Sequence, residues 1–219
     1  RFDFLPSRQI VWPALAALAV IASGIGVNVV TNPLGGILHL DRIVLSVLTI
    51  GGIPYKLTLF ADVFTFVWLM GTTYTTKFLD GLDGLVAGVA AIGGIVVVAV
   101  SLTRDVAQPD TAALATALVG AFLGFLVYNF HPARIFLGEG GSTFAGFMLG
   151  AFAIVAGGKI ATTLLILGLP IFDAAYVIIR RMASGKSPVA ADRSHLHHRL
   201  LDLGFSQRQA VLLYWFVAA

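Results

Sequence analysis

The sequence predicts an all-α fold, a polytopic transmembrane helix bundle, and three observations carry that reading. Hydrophobic residues make up 58% of the chain and charged residues only 11%, against about 25% charged in a soluble domain. Apolar runs near the roughly 20 residues that a bilayer requires recur along the whole length. The 24 glycines suit helices that pack closely in lipid. A single integral membrane domain over residues 1–219 is the consequence, and composition excludes an ordinary soluble globular domain. With no cysteine in the chain, disulfides and thiolate metal sites are excluded as well. The net charge of +3 is small, and no nucleic-acid partner is expected.

Seven membrane segments are read in order, at about 9–30, 57–76, 84–102, 112–130, 142–157, 160–179 and from 207 onward. Residues 31–56 interrupt the pattern. They contain Asn32-Pro-Leu-Gly-Gly36 and then Ile43–Ile53, an apolar, β-branched run too short to span. This stretch reads as a loop with extended or interfacial structure. The second segment holds Asp62, read as a polar contact between helices. The fifth segment is short and glycine-rich, so it tilts, packs internally or re-enters. The sixth carries Pro170, a helix-bending residue, and Asp173 within two turns of Arg180 and Arg181. The chain reads as a fragment, since it begins at Arg1 and ends within an apolar run.

Parity then sorts the loops. If 1–8 lies on one side, 77–83, 131–141 and 180–206 share it. That side carries ten Lys/Arg: Arg1, Arg8, Lys77, Arg134, Arg180, Arg181, Lys186, Arg193, Arg199 and Arg208. The other side carries four: Arg42, Lys56, Arg104 and Lys159. The excess of positive residues makes the first side cytoplasmic. Asp80, Asp83, Glu139, His195, His197 and His198 fall on it too, although the assignment made no use of them.

Three constellations occupy that side. In Phe78-Leu-Asp-Gly-Leu-Asp-Gly-Leu85, the carboxylates Asp80 and Asp83 are three residues apart, each followed by glycine. Acids beside hydrocarbon are expensive and mark an interior site; the competing reading is a pair of Asp-Gly turns. In Pro132-Ala-Arg-Ile-Phe-Leu-Gly-Glu-Gly-Gly-Ser142, glycines before a helix leave N–H groups for an anion. There Glu139 offers oxygen to a hard cation such as Mg²⁺. A glycine-rich turn with a helix cap at Ser142 explains the same residues equally well. Asp192-Arg-Ser-His-Leu-His-His-Arg-Leu200 gathers imidazoles and guanidiniums that suit phosphate. A zinc site and a solvated basic segment at the membrane surface compete with that reading. Taken together, acids for a cation, basic residues for phosphate and a membrane for a lipid suit phosphoryl transfer.

These loops resemble those of the polyprenyl-phosphate N-acetylhexosamine-1-phosphate transferases. The matching pieces are Asp80-Gly-Leu-Asp-Gly-Leu85, Pro132-Ala-Arg-Ile-Phe-Leu-Gly-Glu-Gly-Gly-Ser142, Leu169-Pro-Ile-Phe-Asp173 with Arg180-Arg181, and His195-Leu-His-His-Arg-Leu200. They occur in the family's order, and the His-x-His-His form resembles the N-acetylglucosamine-type branch. The resemblance implies a ten-helix membrane enzyme, of which seven helices lie in this chain, with its active site in cytoplasmic loops of a bacterial inner membrane. It implies Mg²⁺, with Mn²⁺ as a substitute, a UDP-N-acetylhexosamine donor and undecaprenyl phosphate as acceptor, with room for a homodimer. It assigns Asp80, Asp83, His195, His197 and His198 to catalysis and Glu139 with Asp83 to the metal. Lys77, Arg134, Gly140, Ser142, Asp173, Arg193 and Arg199 are assigned to substrate.

Three departures stand out. The family's adjacent Asp-Asp pair is absent. Arg1-Phe-Asp-Phe-Leu-Pro6 resembles the family's segment directly after that pair, so the pair and about three helices are expected upstream. Tyr74 and Lys77 stand where the family usually has asparagines. Glu139 stands where it usually has aspartate. A transporter, with glycine-interrupted helices and buried acids, and a catalytically impaired membrane scaffold are the rival classes. The one-sided clustering of acids and histidines speaks against the transporter, whose site would lie near the bilayer midplane.

Overall fold

A computed structural model describes residues 9–31, 35–50, 53–156, 160–185 and 195–218. The first apolar run folds as helix α1, Val11–Ala22, and ends well short of the expected residue 30. Ser23 caps the last turn through its hydroxyl on the Val20 carbonyl (2.7 Å). Gly24 then takes φ +82°, the left-handed geometry that ends helices.

The expectation of an all-α chain is corrected between α1 and the next helix. Strands β1 (Val29–Thr31) and β2 (Ile37–His39) pair antiparallel, with Val29 opposite His39. Strands β3 (Val44–Ile50) and β4 (Ile53–Thr58) form a second antiparallel pair with an irregularity between Val44 and Ser46. The β-branched run read as extended is thus a hairpin, and Leu45 and Val47 on it are exposed.

Seven further helices complete the chain: α2 (Leu59–Leu79), α3 (Leu85–Ser101), α4 (Pro109–Asn129), α5 (Gly138–Val155), α6 (Ile160–Ala183), α7 (Leu196–Asp202) and α8 (Gln207–Ala218). Helices occupy all seven positions read as membrane segments, and α7 is an addition within the histidine loop. Among the described residues, α4 alone is both long and apolar enough to cross a membrane. Helices α1 and α3 are apolar but only 12 and 17 residues long, and α2 carries Asp62, Lys77 and five buried threonines. The sequence reading of seven spans therefore becomes seven helices with one clear span. Asp62 also differs from its expected role. Its carboxylate accepts the Thr58 backbone N–H (2.7 Å) and hydroxyl (3.3 Å), capping the start of α2 where the helix dipole favours negative charge.

Helix α3 sits in the middle of the main core. Leu85, Val86, Val89 and Val97 pack with Leu118 and Phe122 of α4, Leu149 and Phe152 of α5, and Val211 and Tyr214 of α8. A second cluster joins Ala17 and Val27 to Trp68 and Leu69 of α2 and Ala153 and Ile154 of α5. The contact that positions the site is α2 against α5. A Cβ at Gly146 would lie 2.4 Å from the Thr72 carbonyl oxygen, so only glycine lets the two backbones meet there. Two hydrogen bonds cross the same seam: Thr76 donates to the Ser142 carbonyl (2.9 Å) and the Trp68 indole N–H to the Gly150 carbonyl (3.1 Å).

Candidate active site

Helix α2 ends at Leu79, and Asp80 to Gly84 turn the chain into α3. Gly84 adopts φ +80° at the cap of α3, a conformation that disfavours any side chain. The turn is anchored from the far end of α4. Gly84 donates its N–H to the buried Asn129 side chain (3.0 Å), whose amide donates on to the Ile135 carbonyl (2.9 Å). Asp83 completes the anchor. Its Oδ2 pairs with His131 Nδ1 (2.8 Å) and accepts the Ala133 N–H (3.2 Å). The second constellation is thereby fixed against the first. Asp80 is exposed as a residue, yet enough protein surrounds its carboxyl for desolvation to push its pKa above the usual carboxylate range, and a hydrogen bond from Ser142 partly offsets this.

The histidine loop closes over the same turn. His195 is buried, and its Nδ1 meets Asp173 Oδ2 of α6 at 2.9 Å, while Asp173 Oδ1 accepts the Leu196 N–H at 2.8 Å. The bond fixes which imidazole nitrogen faces the carboxylate and leaves Nε2 for other partners. The rings of Phe78, His195 and His197 stack in series, with centroids 5.8 and 5.6 Å apart. His197 is only 1% exposed and lies directly on Gly81, where a Cβ would come within 2.3 Å of its Nε2. Burial, assisted by the neighbouring His198 and His195, lowers its pKa to about 4, so it is neutral at physiological pH. His198 packs against His197 at 4.3 Å between centroids, and the Arg199 guanidinium lies over the Tyr176 ring of α6.

Glu139 stands in the first turn of α5 and forms an ion pair with Lys77 of α2. The Lys77 ammonium also donates to Gln9 Oε1 (2.9 Å) and lies 5.5 Å from the centre of the Tyr74 ring. Ser142 is fully buried, and its single hydroxyl proton has the Gly138 and Glu139 carbonyls of its own helix turn as alternative acceptors to Asp80. Gly140 and Arg134 are exposed; Arg134 uses its backbone N–H on the Tyr128 carbonyl. Arg193 lies outside the described residues.

The fold thus joins Gly81 of the acidic turn to the histidine loop, Asp83 to His131, and Lys77 to Glu139. Among the described residues no group of three His, Asp or Glu side chains converges as a metal-binding set, neither the histidines nor Asp80, Asp83 and Glu139 together. The hard oxygens of Asp80 and Asp83 do suit Mg²⁺, which is commonly held by one or two carboxylates together with water and substrate phosphate. Sequence reasoning missed His131 and Asn129. Both lie just before Pro132, the first residue of the second constellation, and a wider window would have included them. It also gave no role to Arg208 beyond its charge. Arg208 donates from Nε to the His131 carbonyl (3.0 Å) and ties α8 to this loop.

Comparison with known proteins shows the family of the chain. The profile of Glycosyl transferase family 4 matches residues 3–157. A probable undecaprenyl-phosphate N-acetylglucosaminyl 1-phosphate transferase of Bacillus subtilis is 39% identical over 160 residues, covering 70% of this chain and 44% of the relative. A decaprenyl-phosphate N-acetylglucosaminephosphotransferase of Mycolicibacterium smegmatis is 36% identical over an alignment of 221 positions, covering 90% of this chain and 51% of the relative. An undecaprenyl-phosphate alpha-N-acetylglucosaminyl 1-phosphate transferase of Haemophilus influenzae is 32% identical across 100% of this chain and 60% of the relative. The chain spans about half the length of the curated relatives it matches. A profile matched over most of the chain, residues 3–157, which hold the acidic turn and the Glu139 loop, places the protein in Glycosyl transferase family 4.

Proposed function

We propose that the protein transfers N-acetylglucosamine-1-phosphate from UDP-N-acetylglucosamine to undecaprenyl phosphate, releasing UMP, at the cytoplasmic face of a bacterial inner membrane. The observation that carries the reading is the seat of His197 on Gly81. It brings an acidic turn and an imidazole cluster more than a hundred residues apart into one site. The named activity of the relatives supports the sugar and the lipid class.

In the reaction, an oxygen of the lipid phosphate bonds to the β-phosphorus of the nucleotide sugar. The bond from that phosphorus to the bridging oxygen breaks, and UMP leaves with the electron pair. The acceptor is already an anionic nucleophile, so no protein nucleophile is required. Asp80 and Asp83 would hold Mg²⁺, which supplies charge neutralisation of the diphosphate. His131 and the Ala133 N–H keep the Asp83 carboxylate in one orientation. Asp173 orients His195, and neutral His197, buried on Gly81, holds the histidine loop against the acidic turn without placing a positive charge beside the metal.

Membranes containing the full-length protein, given labelled UDP-N-acetylglucosamine and undecaprenyl phosphate, should yield label in the lipid extract with matching UMP and lose both with EDTA. Folded protein that forms no lipid-linked product would overturn the reading. Topology is tested separately, since single cysteines in 77–83, 131–141 or 195–206 should resist impermeant thiol reagents in intact cells. Strong labelling from outside would reject the cytoplasmic face.

A further inference from the structure

Lys77 sits in the last turn of α2 and Glu139 in the first turn of α5, 62 residues apart in sequence. Three groups converge on the Lys77 ammonium: the Glu139 carboxylate, the Gln9 side-chain oxygen and the Tyr74 ring. An anion, a neutral oxygen and an aromatic face are the surroundings of a seated cation. The Lys77 side chain is 22% exposed and that of Glu139 46%, and the glycine-mediated seam between α2 and α5 joins the two helices that carry them. Tyr74 and Lys77 lie on one helix and Glu139 on the other. The three residues form one physical cluster.

We propose that Lys77 is a resident cation that occupies the Glu139 carboxylate and removes it from the metal-binding set, leaving a divalent ion to Asp80 and Asp83. This rests on the reading that the acidic turn binds a metal. The charges argue for it. Glu139 is already paired with a positive group in the last turn of α2, and a divalent ion approaching the same carboxylate would meet that ammonium as a like charge. Among the described residues Asp83 is paired with no lysine or arginine; its partners are the His131 imidazole and the Ala133 N–H. The longer glutamate side chain, which would misplace an oxygen in a small octahedral site, is instead used to reach across to α2.

The test is Mn²⁺ binding to purified full-length protein in nanodiscs, monitored by electron paramagnetic resonance without substrate. Glu139→Gln should leave the Mn²⁺ Kd within about twofold of wild type. Lys77→Met frees a carboxylate and should tighten binding by about tenfold, the low end of what partner groups around a metal contribute. The double variant should lose that gain, and Lys77→Arg, which keeps the cation, should match wild type. Weakening of about tenfold in Glu139→Gln, or no tightening in Lys77→Met, overturns the inference while leaving the metal reading in place. Absence of Mn²⁺ binding in wild type and every variant overturns both.

Discussion

Gly81 is the narrowest point in the site, and adding one methyl group there tests how the two loops are joined. An ideal Cβ at Gly81 would lie 2.3 Å from His197 Nε2 and 3.0 Å from its Cδ2. Ordinary contact begins near 3.4 Å, so the ring must withdraw by about 1 Å. It has little room, being 1% exposed with His195 stacked at 5.6 Å and His198 at 4.3 Å. The displacement therefore passes to His195 and its bond to Asp173. Overpacking of this kind costs about 1–3 kcal/mol. An imidazole moved by about 1 Å loses alignment with substrate and should lower turnover by about 100-fold. Gly120 is the matched control, since a Cβ there meets nothing within 4 Å; Gly120→Ala should be neutral or slightly stabilising through helix propensity. The assay is thermal unfolding in nanodiscs alongside transfer of labelled sugar-phosphate to lipid. A Gly81→Ala protein that melts and turns over like Gly120→Ala would refute the claim that His197 is seated on the acidic turn.

The same geometry sets two further outcomes. Asp173→Asn keeps the side-chain shape, but an amide oxygen retained on the Leu196 N–H turns its NH₂ toward His195 Nδ1 and forces the imidazole proton to Nε2. Loss of one hydrogen bond to a charged group, about 1.5–3 kcal/mol, corresponds to roughly 10–150-fold in kcat; KM for the nucleotide sugar should hold, and an unchanged kcat would remove Asp173 from the mechanism. His197 titrates near 4 when folded against an ordinary 6.5, so the unfolded chain binds the extra proton between those values. Its contribution to stability is complete above pH 6.5 and is lost as pH falls toward 4, on the order of 3 kcal/mol in total. Unfolding measured against pH should show that acid slope, and His197→Gln should flatten it.

How far the sequence carries the argument depends on the kind of signal. The helices are legible because apolar runs are long and local, and α2 to α6 form within a few residues of where hydropathy places them. The end of α1 is not, because the run stays apolar past Ala22 while the Gly24 turn, a single-residue backbone event, ends the helix. The hairpins are legible only as extended chain, since pairing of β1 with β2 and of β3 with β4 is not written in composition. The motif residues Asp80, Asp83 and His195 can be found by spacing alone. Their partnerships cannot, because His131, Asn129 and Asp173 reach them through tertiary packing. Lys77 and Glu139 each stand out in the sequence as departures, yet only the fold shows that they touch.

The two carboxylate–imidazole pairs separate the acids by role. Asp173 has both oxygens committed, Oδ2 to His195 and Oδ1 to the Leu196 N–H. It is also largely buried, with 9% of its side chain exposed, so it has no oxygen left to present to a metal or a diphosphate. Asp83 directs both of its bonds to Oδ2 and is more open, at 20%, so Oδ1 is the oxygen it can offer to a ligand. The same chemical pair thus serves orientation in one place and presentation in the other. The difference comes from which oxygen takes the backbone N–H. On this argument Asp173 belongs with the groups that aim the histidine loop rather than with those that touch substrate, and in the proposed reaction the phosphate chemistry would be centred on the acidic turn at Asp80 and Asp83.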